Sequence, residues 1–178
     1  MKNIALSFGF LVALASSASA FTITFKNNCG YTVWPAVGKA PNGVPDTSVS
    51  FGTTLGPGAS ASFGVDDHAL GIRAWGRTGC NSNGANCATG GCNGGLVCTG
   101  RWHYLRRDPL RVRIRKLWTV WRRQNLLGFE PLLSSSDGTS VTCTQSSCPD
   151  DQAYSYATDY AADRNSALGQ TYTHTFCP

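Results

Sequence analysis

Eight cysteines, Cys29, Cys80, Cys87, Cys92, Cys98, Cys143, Cys148 and Cys177, are the residues whose chemistry is most constrained by spacing. Thiols in a folded chain either ligate a metal or join as disulfides. Zinc sites favour Cys-x-x-Cys pairs with His at fixed offsets. No Cys-x-x-Cys occurs here, and His68, His103 and His174 are scattered. No metal site and no cofactor is therefore expected. The chain opens on Met1-Lys2-Asn3, then the apolar run "IALSFGFLVALA", with small residues at Ala18 and Ala20. That is the pattern of a secretory signal cleaved after Ala20, and an even cysteine count in a secreted chain implies a disulfide framework. The close pairs are Cys80 with Cys87 and Cys92 with Cys98. Cys177 most simply joins Cys29.

A second group has the composition for a different chemistry. The stretch "GRWHYLRRDPLRVRIRKLWTVWRRQN" carries nine Lys/Arg against one acid, with three of the five Trp. The whole chain has a net charge of +5, yet outside this stretch and the signal five basic residues face nine acids, net −4. The basicity is local. Basic residues interleaved with Trp and Leu suit a membrane surface or a nucleic acid. At helical spacing, however, Leu105, Leu110, Val112, Ile114, Leu117, Trp118 and Trp121 make no clean stripe. "RVRIRKLW" alternates instead, as a strand does. No nucleic-acid partner and no stable membrane insertion is expected. No Ser-His-Asp or Cys-His arrangement appears, and the glycines of "GGCNGG" sit between cysteines without opening a helix, so they are not a phosphate loop.

The elements that must position these residues read as β-structure. Loss of residues 1–20 leaves 158 of 178, one domain by size, 21–178. "FTITFKNNCGYTVWPAV" alternates apolar and polar residues, and "TSVSFGTTLGPGASASFGV" and "GIRAWGRTGC" follow as short runs cut by Gly and Pro. That rhythm predicts a sandwich or barrel. "CNSNGANCATGGCNGGLVC" is too rich in Gly and Asn for regular structure and predicts a looped lobe pinned by its cysteines. "TYTHTFC" predicts a last strand, tied through Cys177 to the first. No Asn-x-Ser/Thr sequon is present.

"FTITFKNNCGYTVWPAV", "GIRAWGRTGC", "GANCATGGCNGGLVC", "CPDDQAYSY" and the terminal "FCP" together resemble the thaumatin-like family, the pathogenesis-related group of secreted proteins. The length is similar to the small single-domain type. The resemblance implies an all-β fold, a disulfide-tied β-sandwich with a Gly/Cys-rich lobe. Two departures stand out: Gly91 replaces an acid before the second Cys of the loop motif, and there are eight cysteines where the small type carries ten. The latter leaves Cys143 and Cys148 to pair with each other.

The resemblance stops at Gly100 and resumes near "GFEPLL", Gly128 to Leu133. Residues 101–127 replace family text that supplies a Glu and two Asp to an acidic cleft. Trp is encoded only by TGG, so a one-base shift turns each Trp into a Gly codon. Shifted codons for "WHYLRR" can spell Gly, Thr, Thr, Phe or Tyr, Ala, Glu, which is the family's "T-x-A-E" stretch. We read the segment as bracketed by two compensating frameshifts. The alternatives are a tolerated insertion and a working basic element. A tryptic peptide map of the protein from its native source separates them.

The resemblance also implies a carbohydrate-binding cleft. Arg73 matches the cleft arginine, and Asp150 or Asp151 matches its last aspartate. The plainer alternatives are a structural strand residue for Arg73 and a solvated turn for the aspartates. Trp34 and Trp75 read as packing residues before sugar platforms. Tyr154, Tyr156, Tyr160 and Tyr172 are equally able to stack on sugars or to pack. Glycoside hydrolysis needs two carboxyl groups at a set separation; Glu130 stands where the family has Asn, so no catalytic residue is assigned. The expected function is a secreted, monomeric defence or cell-wall protein that binds β-1,3-glucan with antifungal action. A weak endo-β-1,3-glucanase and an inhibitor of a microbial xylanase are the alternatives.

Overall fold

The computed structural model describes residues 20–40, 44–99, 111–113, 117–120, 131–142, 163–164 and 167–178. Regular structure among them is all strand: β1 (Ala20–Asn27), β2 (Ala36–Lys39), β3 (Asp46–Gly52), β4 (Ser60–Asp66), β5 (Ile72–Trp75), β6 (Arg111–Arg113), β7 (Leu117–Val120), β8 (Pro131–Ser135), β9 (Ser140–Thr142), β10 (Asp163–Arg164) and β11 (Thr171–Phe176). Five form one sheet in the order β4-β1-β11-β8-β9, and three form a second, β3-β2-β5.

The five-stranded sheet follows its alternation. Phe21, Ile23, Phe25 and Asn27 of β1 are buried, while Thr22, Thr24 and Lys26 lie on the other face. In β11, Tyr172, His174 and Phe176 face the core and the threonines alternate with them. Side chains two apart share a face, so both strands turn aromatic rings inward. The Phe25 and Phe176 rings stack at 6.0 Å, and Tyr172 meets Phe21 edge-on at 5.8 Å. On the outer face the Thr24 and Ser62 hydroxyls bond across strands at 2.8 Å.

The second sheet lies against these rings. Phe51 of β3 stacks on Phe63 of β4 at 5.1 Å, and Phe63 meets Phe25 at 6.1 Å. Val37, Ile72 and Ala74 complete one contiguous apolar cluster with Phe21, Val65 and Leu133. The protein is thus a β-sandwich. In β2 the alternation disappears, because Ala36, Val37 and Gly38 are all buried. A strand covered on both faces loses its polar side, and the second cover here is the cysteine lobe. A third sheet, β10-β7-β6, draws two strands from the basic segment, and β6 runs beside β5.

β1 and β11 pair in parallel, from Thr22 opposite Thr171 to Asn27 opposite Phe176. Both strands therefore end on the same side, which brings Cys29 and Cys177 within bonding reach. Their Cα atoms are 5.1 Å apart and the disulfide is formed. The buried Asn27 side chain fixes the approach to it: Nδ2 donates to the Tyr31, Leu55 and Gly56 carbonyls, and Oδ1 accepts from the Cys29 N–H. Cys80–Cys87 and Cys92–Cys98 are also joined. Cys143 and Cys148 lie outside the described residues.

His174 gives this core an acid-sensitive point. Its ring is buried between Phe25 at 5.6 Å and Phe176 at 4.5 Å, and desolvation depresses its pKa from 6.5 to about 3. The folded state then binds fewer protons than the unfolded state, so stability is lost as pH falls from about 6.5 towards 3. The slope approaches 1.4 kcal/mol per pH unit. Urea unfolding at pH 7 and pH 5 is expected to show a midpoint lower in acid, and His174→Leu is expected to flatten that difference. Equal pH dependence in both proteins would remove His174 as the cause.

Candidate functional site

Residues 73, 75 and 77 fall on one side of an extended chain, because successive side chains alternate. In the ladder Arg73 lies opposite Gly38 and Trp75 opposite Ala36. Gly38 in turn faces Ser50, and Ala36 faces Gly52. These six positions make the outer face of the three-stranded sheet.

The lobe from Cys80 to Cys98 is laid onto that face by three contacts. Trp75 Nε1 donates to the Gly90 carbonyl at 2.9 Å, and Ser50 Oγ donates to the Cys98 carbonyl at 2.5 Å. At Gly52 the lobe backbone comes so close that a Cβ would stand 1.8 Å from the Leu96 oxygen. Only glycine permits that approach. Gly90 adopts φ of +67°, and its own Cβ would meet the Gly76 carbonyl at 2.6 Å. The lobe is therefore keyed to the sheet by backbone as well as by side chains.

Arg77 organises the interior of the lobe. It is fully buried. Nε donates to Trp34 O at 2.9 Å, Nη1 to Gly95 O at 2.6 Å and Gly84 O at 3.1 Å, and Nη2 to Leu96 O at 2.7 Å and Pro35 O at 3.4 Å. Nη1 also approaches Cys92 Sγ at 3.5 Å. A lobe without helix or ladder leaves many carbonyls without partners, and one planar cation with five N–H groups satisfies several at once. Burial lowers its pKa to about 10, so it stays charged at neutral pH.

Arg73 is half-buried, at the part of this face that the lobe contacts leave partly open. One residue from Gly38, Lys39 Nζ pairs with Asp46 Oδ2 at 2.8 Å. The Lys39 hydrogen bond, with those from Ser48, holds Asp46 down to about 2. Asp46 remains a carboxylate and is unsuited to act as a general acid. The other cleft candidates, Asp150 and Asp151, lie outside the described residues, as does Glu130. Structure thus places Arg73 beside a rigid lobe and leaves its proposed acidic partners undescribed. Among the described residues no group of three or more His, Cys, Asp or Glu is arranged to hold a metal.

The aromatic candidates divide. Trp75 and Tyr172 are buried core residues, and Trp34 is half-buried, its backbone bonded to Arg77 from both sides. Tyr154, Tyr156 and Tyr160 fall outside the described residues. Arg77, four residues after Arg73, is the residue that motif reading passes over. Its signal was present: a basic residue opens a glycine-rich lobe that contains no Asp or Glu.

Comparison with known proteins agrees with this architecture. The model of the Thaumatin family matches residues 27–109. A thaumatin-like protein of Triticum aestivum, PWIR2, is 34% identical over 96% of each chain, and pathogenesis-related protein 1A/1B of Hordeum vulgare is 35% identical over the full length of both. Among solved structures, the thaumatin-like xylanase inhibitor TLXI superposes with a TM-score of 0.57 at 27% identity, covering 88% of this chain and 99% of its own. With its sandwich, its keyed cysteine lobe and relatives of matching length, this chain belongs to the thaumatin family.

Proposed function

We propose that this protein is a secreted defence or cell-wall protein that binds β-1,3-glucan on the Arg73 face without cutting it. The observation that carries the reading is the placement of Arg73. A half-buried guanidinium sits on a three-stranded platform beside a lobe held by two disulfides and Arg77. A guanidinium is a planar fork of N–H donors, a group suited to the hydroxyls of a neutral sugar, and a platform already ordered loses little entropy on binding. Binding without hydrolysis is the reading that the one described acid of this sheet supports. Hydrolysis needs one carboxyl held protonated, and Asp46, the acid two strands across from Arg73, is held ionised.

The test is retention on insoluble β-1,3-glucan. Wild-type protein is expected to be retained, Arg73→Ala to weaken retention about tenfold, as loss of one or two hydrogen bonds to a guanidinium implies, and neither to release reducing sugar from laminarin. Equal retention of Arg73→Ala would remove the face from the site. A second reading, inhibition of a microbial xylanase, is favoured by the likeness to the thaumatin-like xylanase inhibitor TLXI. Salt-sensitive inhibition of a xylanase, with no glucan retention, would replace the first reading by the second.

A further inference from the structure

We propose that Cys92–Cys98 is a thiol–disulfide exchange site, at which the Arg77 guanidinium stabilises the Cys92 thiolate. The three described disulfides sit in different electrostatic surroundings. Around Cys80–Cys87, the Cys80 sulfur faces the Thr78 carbonyl at 4.0 Å and the Cys87 sulfur faces the Gly84 carbonyl at 3.5 Å. Those oxygens carry partial negative charge and oppose a thiolate. Cys177 of the terminal bond has the neutral Tyr31 hydroxyl at 3.8 Å. Cys92 differs, because a buried cation, Arg77 Nη1, stands 3.5 Å from its sulfur. The Gly95 carbonyl, 3.8 Å from the same sulfur, is itself bound by Arg77 Nη1 at 2.6 Å.

The charge of Arg77 is not already neutralised within the lobe. Residues 80–99 contain no Asp or Glu, and position 91, immediately before Cys92, is glycine. Every lobe group that Arg77 touches is a carbonyl or a sulfur. Among the described residues, a thiolate formed at Cys92 would be the first full negative charge beside it. An adjacent cation is the usual means by which proteins stabilise a thiolate. A reduced state stabilised in this way also raises the reduction potential of the pair.

The steps balance with a low-molecular-weight thiol such as glutathione as reductant. Its thiolate attacks the sulfur of Cys92, a half-buried residue where Cys98 is buried, the Cys92–Cys98 bond breaks, and Cys98 leaves and takes a proton from solvent. A second thiolate then attacks the glutathione sulfur of the mixed disulfide. Oxidised glutathione departs, and Cys92 is released as a thiolate beside Arg77. Two electrons enter the protein and two thiols are joined outside it. Opening this bond frees the segment whose Cys98 carbonyl is bonded to Ser50 and whose Leu96 backbone rests on Gly52. The lobe could then lift from the sheet face, so the redox state would act on whatever that face binds. This does not depend on the identity of the ligand.

The test uses the oxidised full chain in reduced and oxidised glutathione buffers, with acid quench, alkylation and peptide mass spectrometry. Cys92 and Cys98 are expected to become alkylated at buffer ratios at least about tenfold more oxidising than either of the other two described pairs requires, about 30 mV for a two-electron couple. Reduction of Cys92–Cys98 together with or after the others overturns the proposal. A second measurement isolates the role of Arg77. In Cys98→Ser, with Cys92 free, the pH midpoint of alkylation is expected to fall below the ordinary value of about 8.5, and adding Arg77→Gln is expected to restore it. A midpoint at or above 8.5 in Cys98→Ser alone rejects the guanidinium as the cause, whether or not the double variant folds.

Discussion

Arg77→Ala is expected to lower the free energy of unfolding by about 4 kcal/mol and to open the lobe before the sandwich melts. The substitution removes the donors that serve Trp34, Pro35, Gly84, Gly95 and Leu96. Each buried carbonyl left without a partner costs roughly 1 to 3 kcal/mol. Water entering the vacated space, and relief of the cost of burying the cation, offset part of that sum. Losses of this size come from a short list of mechanisms, and breaking a buried hydrogen-bond network is one. Urea unfolding gives the magnitude. Hydrogen exchange gives the location: amides of Gly84 and of residues in the 90–98 stretch should lose protection while those of β1 and β11 keep it. Arg77→Lys should recover only part of the loss, because a compact ammonium with three donors does not reach five carbonyls in one plane. A drop below 1 kcal/mol in Arg77→Ala, with lobe amides still protected, would show that the disulfides alone hold the lobe.

Removal of the Cys29–Cys177 bond is expected to have an effect of similar or larger size. The cysteines are 148 residues apart. In the chain-entropy account a loop that long restricts the unfolded state by roughly 5 kcal/mol. The bond also clamps the end of the parallel β1–β11 pair, where Asn27 faces Phe176. The double variant Cys29→Ala, Cys177→Ala should therefore unfold at much lower urea. Its steeper or shallower urea dependence, read beside the wild type, reports how far the unfolded chain has expanded. Removal of Cys80–Cys87, whose cysteines are seven apart, should cost distinctly less because its loop is short. If the two removals cost the same, loop length does not govern the stabilisation in this protein.

Much of the sandwich was legible because its physics is local. The alternation of Phe21, Ile23 and Phe25 with Thr22, Thr24 and Lys26 is a two-residue period that any half-buried strand must show. The same period in Thr171–Phe176 marked the last strand. A lobe was legible in "CNSNGANCATGGCNGGLVC" from composition, since Gly and Asn favour turns over ladders. In β2 the pattern failed: "AVGK" shows no alternation, because lobe and core cover its two faces. That second cover is contributed by residues more than forty positions away, and no local period encodes it.

The site was legible in part. Arg73 stood out through its motif, yet the same "GIRAWGRTGC" contains Arg77, which the fold makes the organiser of the lobe. Motif reading weighs which residue types can do chemistry. It does not count how many carbonyls a folded loop will leave without partners. The alternation that puts residues 73, 75 and 77 on one face is visible in the sequence. What they meet there is not: a partly open platform, Gly90 and a cage of carbonyls, respectively.

The sequence by itself determined the strand content, the membership of the family, the cysteine-rich lobe and the local nature of the positive charge. Each rests on short-range pattern, composition or motif, which the order of residues carries directly. Only the tertiary structure decided that β1 and β11 run parallel, that the lobe lies on the outer face of β3-β2-β5, and that Arg77 is buried beside Cys92. Those features depend on long-range closure. Strand direction, lobe placement and the environment of one cation are settled together, when the core excludes water and every buried polar group must find a partner.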